Sequence, residues 1–151
     1  MALFASTFVN KIDRKGRVSV PASFRAALMG QPYAGIVAFR SLKFQALDAG
    51  GFDRLEEISQ GLDGLPELSD ERDALASMLS DAQQLPFDSE GRVILPQPLL
   101  AYAGIGDTAA FVGIGRSFQI WEPQCYQSHQ EEMRERVRQR GFTLPPRSTP
   151  K

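Results

Sequence analysis

Three positively charged residues stand close together near the start of the chain: Arg14, Lys15 and Arg17. Asp13 and Gly16 favour a tight turn there, because an aspartate side chain accepts backbone N–H bonds and a glycine tolerates a positive φ. Several cations on one exposed turn are what binding to the phosphates of a polyanion requires. Two alternatives stay open: Arg14 and Lys15 could belong to a merely solvated turn, and Arg17 could be held in an internal salt bridge.

The same turn recurs in the second half of the chain. Residues 12–21 align with residues 87–96 without a gap, and Asp, Gly, Arg, Val and Pro are identical in both stretches. A unit of this length that occurs only twice is too long and too rare for a solenoid. The repeat therefore predicts a pair of pseudo-symmetric half-domains.

The two turns differ in charge. At the variable positions the second turn carries Ser89 and Glu90, and a glutamate carboxylate repels phosphate. We therefore predict a structural role for the second turn, in which Asp88 accepts backbone N–H bonds, Gly91 adopts a positive φ and Arg92 pairs with a carboxylate.

Alternating hydrophobic residues and turn residues give each copy the pattern of a β-β-α-β-β unit, and hence an α+β fold. In the first copy the predicted strands are 8–12, 17–20, 35–39 and 44–47, and the predicted helix is 22–29, ended by Gly30. In the second copy the predicted strands are 84–87, 93–95, 109–114 and 118–121, and the predicted helix is 97–103.

The remaining segments are predicted as helices and a tail. The expected boundaries are a first unit at 1–50, a helical connector at 51–83, a second unit at 84–123, a C-terminal helix at 124–141 and a flexible tail at 142–151, with the two units forming one compact domain. In the connector, Gly61 is expected to help end the first helix, and Ser69 is expected to cap a second helix at 70–83. An apolar stripe that includes Leu75 and Met78 predicts core packing for that second helix.

Charge is distributed unevenly along a chain whose formal net charge is only −1. Residues 1–47 hold seven basic groups against one acidic group, residues 48–90 hold twelve acidic against two basic, and residues 91–151 hold eight basic against five acidic. This asymmetry suggests that one end of the chain meets a polyanion while the middle is a solvated acidic connector.

Composition also limits the possible functions. A hydrophobic fraction of 42% with 23% charged residues is typical of a globular protein and excludes disorder throughout. Cys125 and His129 are the only residues of their types, so an intrachain disulfide and a cysteine-based zinc site are excluded, and we expect His129 on a solvated helix surface. We find no signal peptide, no membrane-length apolar stretch and no catalytic motif. We therefore expect a cytoplasmic, non-enzymatic protein with no metal, cofactor, membrane partner or small-molecule substrate.

Several strings carry a resemblance to a known family. They are residues 9–21 followed by Phe24 and Arg25, then residues 101–105, then Val112 and Gly113 followed by residues 118–121. In this order and spacing they resemble the MraZ transcriptional regulators, whose two tandem AbrB-like units each carry an Asp-x-x-x-Arg motif. The resemblance covers roughly residues 1–125.

The resemblance implies a fold and a function. The fold is a pair of AbrB-like units of the swapped-hairpin, double-split β-α-β type. The function is that of a bacterial, nucleoid-associated repressor that binds DNA repeats upstream of the division and cell-wall gene cluster as a homo-oligomeric ring. Carried over to this sequence, Arg17 is the main DNA-contact residue, with Arg14 and Lys15 beside it. Arg25 is a weaker addition, and Asp13 positions the turn.

A second hypothesis from a different class is a non-catalytic protein-interaction or scaffold module on the same fold. The acidic connector and the arginine-rich last helix could mediate its contacts. That helix carries Arg134, Arg136, Arg138 and Arg140, which fall at every second position. Arginines at this spacing spread around a helix instead of forming one stripe, so a solvated face with local ion pairs is the alternative.

Overall fold

The structure, a computed structural model, describes residues 3–146. The strands are β1 Thr7–Lys11, β2 Arg17–Ser19, β3 Gly35–Arg40, β4 Leu47–Gly50, β5 Gln83–Pro86, β6 Arg92–Ile94, β7 Thr108–Gly113 and β8 Phe118–Trp121. The helices are α1 Ala22–Ala27, α2 Phe52–Asp63, α3 Asp70–Asp81, α4 Gln97–Ala103 and α5 Pro123–Arg140. The predicted α+β class is confirmed. Of the predicted tail, residues 147–151 lie outside the described part of the chain.

The strands form a six-stranded antiparallel sheet and a separate two-stranded ribbon. The order in the large sheet is β1-β7-β8-β4-β3-β5, and the ribbon pairs β2 with β6. In the two copies, β1 is equivalent to β5, β3 to β7 and β4 to β8, so exchanging the copies gives the same strand order read from the other end. The two copies of the sequence repeat are therefore related by a pseudo-twofold axis. Each copy lends its first strand to the other: β1 pairs with β7, and β5 pairs with β3.

The main core lies between one face of the large sheet, the ribbon, α1 and α4. Phe24 of α1 and Leu99 of α4 are fully buried in it, and Val18 and Val93 point into it from the ribbon. The Phe24 ring packs against Phe118 at a centroid distance of 5.0 Å. Burial of one such phenyl side chain contributes about 2–3 kcal/mol. The core therefore fixes the ribbon to the sheet through its inward side chains.

Helices cover the opposite face of the sheet. Successive strand residues alternate between faces, so Val37 and Phe39 point away from the main core, and α2 and α3 contact that part of β3. Ala110 and Trp121 form a smaller cluster under α5. The ribbon and the connector helices thus lie on opposite faces of the large sheet. No helix of residues 3–146 is both long enough and apolar enough to cross a bilayer.

Two predicted elements differ from the structure. The strand predicted at 44–47 begins only at Leu47, because the Ser41 hydroxyl oxygen accepts the N–H groups of Lys43 and Phe44 and holds them in a loop. Helix α2 continues through Gly61 to Asp63, although Gly61 was expected to help end it. A Cβ at that glycine would lie 3.3 Å from Leu75 Cδ1 of α3, so the missing side chain lets the two helices approach closely.

Helix α3 is confirmed as a capped helix but not as a core helix. The Ser69 hydroxyl oxygen accepts the N–H of Arg72 at 3.2 Å, as expected of an N-cap. Leu75 and Met78 are only half-buried, and no residue of α3 is fully buried. The predicted core packing of this stripe is therefore wrong, because α3 packs at the margin of the fold against α2 and β3.

Candidate functional site

The first turn is built around the Asp13 carboxylate. Its Oδ1 accepts the N–H groups of Lys15 and Arg17, both at 2.9 Å, and its Oδ2 accepts Arg17 Nε at 2.6 Å. The N–H of Arg17, more than any other group, lowers the pKa of Asp13 below its usual range. Gly16 has a φ of +83°, as predicted. One carboxylate therefore shapes the turn and fixes the direction of the Arg17 guanidinium.

The second turn repeats this geometry. Asp88 Oδ1 accepts the N–H groups of Glu90 and Arg92 at 2.9 Å, and Oδ2 accepts Arg92 Nε at 2.8 Å. The N–H of Arg92 is again the main cause of a lowered pKa, here of Asp88. Gly91 has a φ of +76°. The internal geometry predicted for both turns is confirmed.

The charges that surround the two guanidinium groups differ. Arg92 also lies 3.4 Å from Glu90 Oε2, so two carboxylates of its own turn neutralise it. Among the described residues, Arg17 forms an ion pair with Asp13 alone. Arg14 and Lys15 are exposed, and within residues 3–146 no carboxylate lies within ion-pair distance of either. The first turn is therefore cationic and the second is not.

The ribbon places both motif arginines on one exposed face. Arg17 lies opposite Ile94, and Ser19 lies opposite Arg92. Because Val18 and Val93 between them point into the core, these four side chains point outward. Arg17 and Arg92 are diagonal neighbours, a relation that corresponds to about 7–8 Å between Cα atoms.

The pKa of Arg92 supports this proximity of the two motifs. It is raised first by the hydrogen bond to Asp88, and the negative charge of Asp13 in the other turn also contributes. Sequence reasoning treated the two turns separately and missed the shared face. The gap-free repeat could have revealed it, because two equivalent strands on a twofold axis pair with each other.

Arg25 lies beside the second turn, away from Arg14 and Lys15. Its Nε donates to the Val20 carbonyl at 3.1 Å, and a Cβ added to Gly91 would meet its Nη1 at 2.6 Å. Next to it is a largely apolar cleft of about 480 Å³ between α1 and the second turn. The structure therefore places Arg25 beside the second turn and not beside the first.

His129 is not the solvated surface histidine that we expected. Its ring stacks on Trp121 at 5.0 Å with an interplanar angle of 23°, and it meets Phe44 edge-on at 4.7 Å. Tyr126 completes an aromatic cluster between α5 and the sheet. The expectation was wrong because it rested on the polar residues next to His129 in the sequence. These residues do not show that β8, with Trp121, lies beneath this part of α5.

Two interlocked β-β-α-β-β units that each present an Asp-x-x-x-Arg turn define an AbrB-like double-unit protein, and comparison with known proteins agrees with this class. The family described as "MraZ protein, putative antitoxin-like" matches residues 78–142. The transcriptional regulator MraZ of Rickettsia akari is 41% identical over 145 residues, which cover 95% of this chain and 97% of the relative. That of Beijerinckia indica is 46% identical over 139 residues, with 91% and 85% covered. That of Rhodospirillum rubrum is 47% identical over 134 residues, with 85% and 84% covered.

The chain belongs to the MraZ family. The Rickettsia akari relative aligns over 97% of its own length and 95% of this chain, so that match includes both turns and the ribbon and not merely one of the two units. The resemblance carried by the sequence motifs is thereby confirmed.

Proposed function

We propose that this protein is a sequence-specific DNA-binding transcriptional regulator that meets DNA with its first turn and the outer face of the β2–β6 ribbon. The names of the relatives support regulation of transcription. The observation that carries the site is Arg17, 34% exposed at its side chain and fixed by Asp13, beside Arg14 and Lys15, two exposed cations for which residues 3–146 supply no ion-pair partner.

The Asp13–Arg17 ion pair is compatible with DNA contact. Asp13 takes up the Arg17 Nε and leaves the two terminal nitrogens of the guanidinium for another acceptor. Two parallel N–H donors match the O6 and N7 acceptors of guanine in the major groove, or two oxygens of a phosphate. A side chain that is held in place before binding also loses less entropy on binding. The salt bridge and the DNA contact thus belong to one mechanism.

The ribbon has dimensions that suit this role. The major groove of B-DNA is about 12 Å wide and admits a two-stranded β-ribbon. With Val18 and Val93 buried in the core, the outward face is the one that a DNA groove would receive. Arg14 and Lys15 at the end of the ribbon are then placed to contact the phosphates that border the groove.

We further propose that the protein acts as a cytoplasmic, nucleoid-associated repressor and binds upstream repeats of the division and cell-wall gene cluster as a homo-oligomeric ring. One basic turn makes only a few phosphate contacts, so a useful affinity at cellular salt requires several turns on one DNA. Identical turns in a closed ring meet this need.

Exchanging the charges of the two turns tests the site. The first variant, Arg14→Ser with Lys15→Glu, gives the first turn the second turn's residues. We expect it to lose preference for DNA from upstream of its own gene over a shuffled duplex of equal length. The slope of log affinity against log salt should fall by about 0.9 for each lost phosphate contact. Arg17→Ala should abolish the preference as well.

The reciprocal variant, Ser89→Arg with Glu90→Lys, is the matched control. It adds the same charges to the other end of the ribbon and is expected to strengthen binding. Combined with the first-turn exchange in one protein, it is expected not to restore the preference for the upstream sequence. If Arg17→Ala and the first-turn exchange both bound like the wild type, DNA would not meet the chain at this site.

A scaffold function is the second candidate, and one observation favours it. Residues 131–140 of α5 are exposed throughout, and Met133 and Val137 present apolar side chains on one side of this free half. Of its arginines, Arg138 pairs with Glu135 at 2.7 Å. DNA binding that survives removal of residues 131–151 but is lost with the first-turn exchange would favour the regulator, and the reverse pattern would favour the scaffold.

A further inference from the structure

An exposed apolar side chain interrupts the polar outer face of the ribbon. Ile94 is 55% exposed, although it is the last residue of β6 in the ribbon. In the repeat its equivalent is Ser19 of β2, so the two ends of the ribbon differ in chemistry. The end next to the cationic turn carries the isoleucine, and the end next to the neutralised turn carries the serine.

Ile94 is coupled in space to Arg17. The two residues are direct partners in the ribbon. The neighbouring pair is hydrogen-bonded, since Leu95 N–H donates to the Gly16 carbonyl at 2.9 Å. In an antiparallel ladder the next pair is then a non-hydrogen-bonded one, in which the Cα atoms are about 4.5 Å apart and the side chains are closest. Ile94 and Arg17 therefore emerge side by side.

The first turn also limits where the Ile94 side chain can go. A Cβ at Gly16 would lie 3.6 Å from Ile94 Cγ2, which places this methyl group against the base of the turn. More than half of Ile94 remains exposed next to its ribbon partner Arg17. The pair presents two parallel donors and an apolar surface in adjacent positions.

We propose that Ile94 is a specificity-determining residue that contacts the C5-methyl group of a thymine adjacent to the base read by Arg17. This inference rests on the proposed function. The thymine methyl is the apolar group that distinguishes base-pair edges in the major groove, and apolar side chains are its usual partners. At the other end of the ribbon, Ser19 beside Arg92 offers no apolar surface. The chain therefore reads a thymine at the Arg17 end only.

The test removes the methyl groups from the DNA. The duplex from upstream of the gene is prepared once with thymidine and once with deoxyuridine throughout, and binding of the full-length protein to each is measured at fixed salt. We expect the wild type to bind the uracil duplex roughly fourfold more weakly for each contacted methyl group, the fold-change that corresponds to burial of one methyl. Ile94→Ser, which copies the residue of the other copy, is expected to bind both duplexes equally.

The control variant is Ile114→Ser. Ile114 is 53% exposed, nearly the same as Ile94, but lies between β7 and β8 away from the ribbon. It should keep the wild-type ratio between the two duplexes. Because the ratio is compared between variants, any change of DNA shape caused by uracil cancels. Thermal unfolding of all three proteins checks that they are folded.

Two results would overturn the inference while leaving the proposed function intact. In the first, the wild type binds both duplexes equally and keeps its preference for the upstream sequence. In the second, Ile94→Ser loses the same factor of affinity for both duplexes. The second of these would assign Ile94 to packing or to a protein partner. A wild type without any preference for the upstream sequence would overturn the proposed function and the inference together.

Discussion

Asp13 shows how much of this site depends on a single side chain. One carboxylate oxygen accepts two backbone N–H groups of the turn, and the other holds Arg17. The turn's shape and the arginine's direction are thus set together. An aspartate is required for this, since asparagine offers one oxygen acceptor where the turn uses two.

The lowered pKa of Asp13 and Asp88 predicts a pH dependence of stability. A carboxyl group whose pKa is lower in the folded than in the unfolded state stabilises the fold fully above its unfolded pKa, near about 4. This stabilisation is lost as the pH falls through the lowered folded-state pKa. We expect the free energy of unfolding, measured by urea at pH 7, 4 and 3, to decline most steeply in the lower interval.

Asparagine variants assign that decline to the turns. Asp13→Asn and Asp88→Asn should each be less stable at pH 7 and show a shallower decline in acid. Glu132→Gln removes an exposed carboxylate from α5 and should follow the wild type. Identical profiles for all four proteins would mean that the turn carboxylates do not set the acid limit.

Two features of the turn require glycine at position 16: the positive φ of the backbone and the lack of room for a Cβ atom. Gly16→Ala forces an L side chain to a φ of +83° and places its Cβ 3.0 Å from the Leu95 carbonyl oxygen. We expect a loss of about 1–3 kcal/mol in the free energy of unfolding, determined from the urea midpoint and slope. Gly106→Ala is the control, because that glycine has no neighbouring atom within 4 Å and no positive φ. A loss of equal size in both variants would contradict a specific requirement at the turn.

At the scale of elements, the sequence predicted what depends on local pattern. The repeat predicted equivalent strands and turns, and the alternating patterns at 17–20 and 93–95 predicted the two strands of the ribbon. The sequence pattern did not predict that β1 pairs with β7, because a short strand can form hydrogen bonds with any exposed sheet edge that runs in a suitable direction. Nor did it place Arg25 beside Gly91, a contact between units that no local pattern encodes.

The attachment of α5 depends on another contact between distant segments. Stacking of His129 on Trp121 joins the helix to β8. Aromatic pairs contribute about 0.5–1.5 kcal/mol beyond burial of their area, so His129→Ala should lower the free energy of unfolding by about 1 kcal/mol. The Trp121 fluorescence should also shift to the red as the indole gains water. Both quantities are measured in one denaturant titration.

The exposed neighbour Ser128 provides the comparison. Ser128→Ala changes the adjacent residue of the same helix without touching the cluster, and it should leave both stability and emission close to the wild type. If His129→Ala matched Ser128→Ala in both, the aromatic cluster would not be what holds α5 to the sheet.

At the scale of the whole molecule, the near-zero net charge conceals an ordered distribution. The acidic residues are concentrated in α2, α3 and their flanks, on the face of the large sheet that is opposite the ribbon. The exposed cations of the first turn, Arg14 and Lys15, lie at the end of the ribbon. A polyanion is therefore attracted to one side and repelled from the other, so this charge distribution would orient the protein in the proposed complex with DNA.

The proposed ring predicts that affinity depends on the number of operator copies more than on any single contact. One chain supplies one cationic turn, and its few phosphate contacts give weak binding at physiological salt. In an oligomer, binding by the first turn of another subunit is an intramolecular event, which increases overall affinity by about 10²–10⁴ when geometry allows both subunits to engage. We therefore expect duplexes with two or more upstream repeats to bind that much more tightly than a duplex with one repeat, in direct titration at fixed salt. Lengthening the spacing between repeats by half a helical turn should remove most of the gain, because the first turn of the other subunit then meets the far side of the DNA. Affinity that is indifferent to both repeat number and spacing would mean that the chain binds DNA one copy at a time, whatever its oligomeric state by light scattering.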